Sequence, residues 1–108
     1  MKELTGQVAI VTGAASGIGR DLARQLSIAG SHLALADIDE TGLKGLRQEL
    51  DSRHSTISVH KVDVGDEQEV KKVVDDVVRI HDRITILINN AGLSNSAPFQ
   101  EVLRITIA

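Results

Sequence analysis

The chain has 108 residues, 42% of them apolar and 25% charged, the proportions of one ordinary globular domain rather than of a disordered or fibrous segment. Twelve Lys plus Arg against fifteen Asp plus Glu leave a net charge of -3, with no basic run and neither Tyr nor Trp to stack on bases, which argues against nucleic acid as a partner. The absence of Cys excludes disulfides and thiolate chemistry, and His32, His54, His60 and His81 lack zinc-ligand spacing, so surface or strand-end positions and no metal are expected.

The apolar residues are almost all aliphatic: eleven each of Val, Ile and Leu, ten Ala, and a single Phe99. Strands covered on both faces read as continuous aliphatic runs, which makes Val8 to Val11 a first buried strand. A helix follows from about Gly17 to Ala29, with Ile18, Leu22, Ala23 and Leu26 as its stripe and Gly30 placed for a left-handed end. Leu33 to Ala36 is the second strand. A second helix, Glu40 to Ser52, carries Leu43, Leu46 and Leu50 on one face, while Ile57 to Val64 alternates more and suits a strand at the sheet edge. Asp66, with Glu69 three residues on, opens a third helix from Glu67 to Ile80 whose stripe is Val70, Val73, Val74, Val77 and Val78. Ile84 to Ile88 is a fourth strand, and Pro98-Phe99-Gln100-Glu101-Val102 fits the start of a fourth helix.

Uninterrupted alternation of strand and helix predicts an α/β fold. Its form is a Rossmann-type doubly wound parallel sheet, β1-α1-β2-α2-β3-α3-β4 with the start of α4, in one domain over residues 1–108. The longest apolar stretches are a few residues long and Met1-Lys2-Glu3-Leu4 lacks a signal-peptide pattern, so a cytoplasmic chain without membrane association is expected.

The chemistry begins where the first strand ends, at Thr12-Gly13-Ala14-Ala15-Ser16-Gly17-Ile18-Gly19. Amides at a helix N-terminus are unsatisfied and carry the positive end of the dipole, and glycines let a pyrophosphate approach the main chain without meeting a Cβ. The spacing is G-x-x-x-G-x-G rather than G-x-G-x-x-G, and a lone cluster of this kind is more often a structural turn. It is not alone. Asp37 closes the second strand 24 residues after Gly13, near the spacing of about 20 at which an acid meets the adenosine ribose. Asp39, by contrast, reads as a helix cap. Asp63-Val64 and Asn89-Asn90-Ala91-Gly92 follow the third and fourth strands, so four clusters fall at the carboxyl ends of four successive strands, where open α/β sheets bind ligands.

With these residues in place, the sequence resembles the short-chain dehydrogenase/reductase family from residue 1 to about residue 102, as the N-terminal, cofactor-binding half of a member. The resemblance implies that Gly13, Ser16, Gly17, Ile18 and Gly19 form the cofactor turn, that Asp37 with Ile38 beside it binds the adenosine ribose, and that Asp63 and Val64 hold the adenine. It further implies that Asn90, Ala91 and Gly92 lie along the ribose toward the nicotinamide. NADP-preferring members tend to carry a basic residue at the positions occupied here by Ser16 and Ile38, so NAD is implied in preference to NADP. The implied reaction is hydride transfer between a nicotinamide and an alcohol or carbonyl carbon of a small molecule, by a protein that is a homo-oligomer when full length.

The family's proton carrier is a Tyr with a Lys four residues on, assisted by a Ser and an Asn, all beyond the Asn-Asn-Ala-Gly block. Here there is no Tyr, the last Lys is Lys72 and no Asn follows Asn95, so no catalytic residue is assigned and the 108 residues alone are expected to be inactive. Ser94 and Ser96 read as loop residues. Three readings stay open: the dinucleotide half of an oxidoreductase, a nucleotide-binding module without turnover, and an interaction fragment. A last expectation concerns the fourth strand, whose outer edge would be bare in a chain that stops here, favouring oligomers or aggregates.

Overall fold

The aliphatic runs become the strands of a single sheet because each buries both faces. The computed structural model describes residues 2–50, 52–53, 55–90 and 101–107, the last seven as backbone. Strands β1 (Val8–Thr12), β2 (His32–Asp37), β3 (Ile57–Lys61) and β4 (Ile84–Asn89) run parallel in the spatial order β3-β2-β1-β4. Helices α1 (Gly17–Ile28), α2 (Glu40–Glu49) and α3 (Glu67–His81) make the crossovers. The expected doubly wound sheet is present, with β3 at its edge.

Two layers of core follow from this winding. On one face Ala23 and Leu26 of α1 and Leu43 and Leu46 of α2 pack on Ala9, Val11, Leu33, Leu35, Ile57, Ile86 and Ile88. On the other, Val77 of α3 packs on Val8, Ile10, Ala34 and Ile84, with Val73, Val74 and Val78 partly buried around it. Two stripe residues lie outside the core: Ile18 is 52% exposed and Val70 is 37% exposed. Both sit in the first turn of their helix, next to the loop that leads in.

The end of the chain departs from the expected helix. Glu101 and Val102 open a fifth strand, β5 (Glu101–Ile107), which runs antiparallel to β4 with Leu87 opposite Leu103 and Asn89 opposite Glu101; Pro98, Phe99 and Gln100 lie outside the described residues. The physical reason is twofold: Val102, Ile105, Thr106 and Ile107 are β-branched, and the amides and carbonyls along β4 need partners. The edge of β4 expected to be bare is therefore covered.

A second correction concerns His81, which is buried at the end of α3 rather than at the surface or a strand end, while His60 stands near the end of β3 and is likewise buried, each at 8% exposure. Ser58 and His60 of β3 meet His81 at the end of α3, and the Ser58 hydroxyl oxygen lies 2.7 Å from Nε2 of either ring. The hydroxyl can donate to one imidazole and accept an Nε2–H from the other, which links the three side chains. Burial pushes His60 below its ordinary value against an opposing pull from Asp76. Burial, with His60 and His32 nearby, pushes His81 down to about 4.

Because burial holds both rings below their ordinary 6.5 in the folded chain, His81 at about 4, the unfolded chain binds more protons between pH 6.5 and about 4. Stability is full above pH 6.5 and falls as pH drops through that window. We expect the urea midpoint to drop across it, by on the order of 1 to 3 kcal/mol in unfolding free energy, and His81→Gln to flatten the dependence. A wild-type midpoint that stays level over this range contradicts the arrangement. Glu49 does not confuse the test: hydrogen bonds from Arg24 and Arg20 hold its carboxyl down at about 2, so its share is lost only as pH falls below the ordinary 4.5.

Candidate functional site

Every cluster singled out in the sequence, so far as the described residues reach, lies at the carboxyl ends of the parallel strands. From Thr12 the chain reverses through Gly13 at φ 67° and enters α1 at Gly17 at φ 59°, a left-handed backbone that side chains disfavour. Ala14 and Ala15 are buried beneath this turn, while Ser16, Gly17 and Ile18 face solvent.

The helix that starts here differs from the other two at its first turn. Asp39 caps α2 by accepting from the Gly42 amide, and Asp66 caps α3 by accepting from the Gln68 and Glu69 amides. Ser16 stands at the same position of α1 in an extended conformation, and its side chain makes no capping bond. The amides of Gly17, Ile18 and Gly19 precede the bond from Arg20 N–H to the Ser16 carbonyl (3.3 Å), so they belong to the turn whose donors a helix cannot satisfy. That leaves donors and dipole facing outward.

Gly17 and Gly19 serve different ends. A Cβ on Gly17 would meet nothing within 4 Å, so its open side faces free space. A Cβ on Gly19 would lie 2.2 Å from the Gly13 carbonyl oxygen and 2.8 Å from the Asn90 side-chain nitrogen. Gly19 is buried, and its bareness lets α1 seat against the turn and against the end of β4.

Asp37, half-buried at the end of β2, is tied into this turn. One carboxylate oxygen accepts the Ala15 amide at 3.0 Å and the other accepts the Asp39 amide at 3.0 Å, while Ile38 beside it is 63% exposed. Each oxygen retains a second lone pair. Beyond β3, Asp63 is exposed and accepts the Gly65 amide at 2.9 Å, and Val64 is half-buried. At the end of β4 the Asn90 amide donates to the Thr12 hydroxyl at 2.8 Å, and that hydroxyl lies 3.2 Å from the Asn89 side-chain oxygen. Ala91 and Gly92, with Ser94, Asn95 and Ser96, lie outside the described residues.

Sequence reasoning missed three residues that hold the turn. The Thr12 hydroxyl joins β1 to the end of β4, and Arg20 donates to the Ala15 carbonyl at 3.1 Å while also reaching Glu49 at 3.1 Å. Thr12 opens the glycine motif, a signal that it does more than end a strand. The Arg20 to Glu49 pair spans 29 residues and leaves no local trace.

A profile of the short chain dehydrogenase family matches residues 7–107. The chain belongs to the short chain dehydrogenase family. It is 38% identical over 100 residues to a 3beta-hydroxysteroid dehydrogenase 2 of Eggerthella lenta, covering 92% of this chain and 38% of that protein. It is 34% identical over 94 residues to a 3-oxoacyl-[acyl-carrier-protein] reductase of Thermotoga maritima, covering 87% and 38%. Among solved structures, a 7 alpha-hydroxysteroid dehydrogenase complexed with NADH and 7-oxo glycochenodeoxycholic acid superposes with a TM-score of 0.79 at 30% identity, over 83% of this chain and 35% of that one. The chain thus spans 38% of the length of each of these two curated relatives, and about 30% of others it matches.

A cleft of about 510 Å³ lies elsewhere, lined by Arg24, Ser27, Ile28, Glu49 and Leu50 near the C-terminal ends of α1 and α2. It is at the opposite edge of the sheet, away from the four clusters that the family member carries at its carboxyl edge. Among the described residues, no group of three His, Cys, Asp or Glu is placed to hold a metal ion, and no helix is long and apolar enough to cross a membrane.

The glycine roles are separable by mutation. Gly19→Ala drives a Cβ into backbone, and we expect it to lower stability by roughly 1 to 3 kcal/mol or more. Gly45→Ala, in the interior of α2 with nothing within 4 Å, should raise stability. The expected gain is about 0.5 to 1 kcal/mol, from the backbone freedom that Gly loses on folding. Thermal unfolding of the two variants checks this, and a Gly19→Ala protein as stable as wild type would contradict the close approach.

Proposed function

We propose that this edge binds NAD(H), as the dinucleotide half of an oxidoreductase that interconverts an alcohol and a carbonyl compound. The observation that carries the reading is the first turn of α1, uncapped by Ser16, open at Gly17, and joined through Ala15 to the carboxylate of Asp37. In this reading the amides around Gly13, Ser16, Gly17, Ile18 and Gly19 receive the pyrophosphate. Asp37 accepts hydrogen bonds from the ribose hydroxyls with its remaining lone pairs, and Ile38 lies against the adenosine. Asp63 and Val64 flank the adenine, and Asn90, Ala91 and Gly92 lead toward the nicotinamide. The relatives solved with NADH, among them a 3-ketoacyl-(acyl-carrier-protein) reductase from Brucella melitensis, support it.

When bound, the nicotinamide supplies the hydride carrier. The residues of this chain bind and orient it; they do not move the proton. Family resemblance gives that task to a Tyr and Lys pair, and the sequence contains no Tyr. The 108 residues therefore bind without turning over, and hydride transfer belongs to the whole protein. Cytoplasmic location and homo-oligomeric assembly of that protein are part of the same reading.

The cofactor choice follows from charge. A 2'-phosphate would meet Asp37, and neither Ser16 nor Ile38 offers a cation to offset the repulsion. NADH is expected to bind more tightly than NADPH in fluorescence titrations. Asp37→Ala should shrink that preference by about tenfold, since a hydrogen bond to a charged group contributes roughly 1.5 to 3 kcal/mol. A wild-type preference for NADPH would overturn the assignment. In a separate assay with secondary alcohols, steady NADH formation that tracks the purified chain would overturn the division of labour.

A further inference from the structure

Resting on the dinucleotide reading above, we propose that Arg20 is a positioning residue for the cofactor turn, a brace that fixes the Ala15 carbonyl from α1 and is itself tied to α2. The turn bends through two left-handed glycines, and Ala15 sits between them. Its amide is held by Asp37 at 3.0 Å. Its carbonyl precedes the helical ladder, whose bond from Arg20 N–H begins at the Ser16 carbonyl, and it is met instead by Nη1 of Arg20 at 3.1 Å. Nη2 of the same guanidinium donates to Oε1 of Glu49 at 3.1 Å, and Arg24 holds the other oxygen of that carboxylate. One planar fork thus joins the turn to the last residue of α2. Both backbone polar groups of Ala15 are anchored, the amide by Asp37 of β2 and the carbonyl by Arg20 of α1, whose guanidinium is in turn tied to α2.

The brace has little to do with global stability. Arg20 and Glu49 are 26% and 41% exposed, and ion pairs at such surfaces contribute weakly. The peptide it fixes is another matter, because the amides that follow Ala15 are those aimed at the pyrophosphate, and sub-ångström placement of donors decides how well they bind a charge. The pairing with Glu49 also commits the Arg20 charge away from Asp37, leaving that carboxylate to the ribose. The two acceptors demand arginine. A lysine ammonium is a single point donor on a flexible stem and cannot span the Ala15 carbonyl and the Glu49 carboxylate with a rigid fork.

The test compares NADH affinity with local and global order in Arg20→Ala, Arg20→Lys, Glu49→Gln and, as a control for loss of an exposed ion-paired arginine, Arg79→Ala. Arg20→Ala is expected to weaken NADH binding about tenfold, the scale of one lost charge-assisted hydrogen bond. Arg20→Lys should fail to restore it, Glu49→Gln should weaken binding less but in the same direction, and Arg79→Ala should bind as wild type does. In the unliganded protein, hydrogen exchange at the Ala15 amide, which Asp37 holds, should quicken in Arg20→Ala while the strand amides of Ile10 and Leu35 keep their protection. Wild-type affinity in Arg20→Ala, full rescue by Arg20→Lys, or loss of protection spread evenly through the sheet would overturn the proposal. If wild type binds no dinucleotide, the reading of the site falls, and the exchange rates still decide the brace: unchanged exchange at the Ala15 amide refutes it.

Discussion

The structure turns on the contact between Gly19 and the carbonyl of Gly13, a place where one added carbon would sit 2.2 Å from a backbone oxygen. Because position 19 is bare, the first turn of α1 can lie directly against the turn that leaves β1, and the Asn90 side chain at the end of β4 closes in from the other side. Everything at the carboxyl edge is placed by that seating. The helix axis points its free amides outward over the sheet, Ala15 falls within reach of Asp37, and the ends of β1, β2 and β4 meet at one surface.

The two edges of the sheet divide the work. At the amino edge, polar groups are satisfied locally: the Ser31 hydroxyl donates to the Leu4 carbonyl at 2.6 Å, and Thr56 N–H donates to His32 Nδ1 at 2.9 Å. Among the described residues that line the cleft beside them, the two charged side chains, Arg24 and Glu49, are spent on pairing with each other. At the carboxyl edge the backbone keeps an open side at Gly17, an uncapped helix and a carboxylate with lone pairs to give. Chemistry, more than volume, separates a ligand surface from a surface groove.

Much of this was legible beforehand, for reasons tied to locality. Continuous runs such as Leu33 to Ala36 could only be strands buried on both faces, and Asp39 as a cap followed from its place before Glu40. What escaped depended on meetings between distant residues. Ser58 and His81 are 23 residues apart, Arg20 and Glu49 are 29 apart, and neither pair leaves a mark within a window of sequence. The strand Glu101–Ile107 escaped for a different reason: Pro98 followed by Glu101 imitates a helix start, while the partner that makes this segment a strand, β4, lies in another element. Asp63 was read as a ligand contact, and the structure adds that its carboxylate also closes a turn onto Gly65.

The central claim is that the uncapped, glycine-lined turn before α1 receives the dinucleotide, and amide chemical-shift mapping during titration with NADH tests it most directly. The account predicts saturable shifts that are largest at Gly13, at Ser16 through Gly19, and at Asp37, Ile38 and Asn90. Shifts confined to Arg24, Ile28 and Leu50 at the opposite edge, or none at any residue at saturating cofactor, would contradict it.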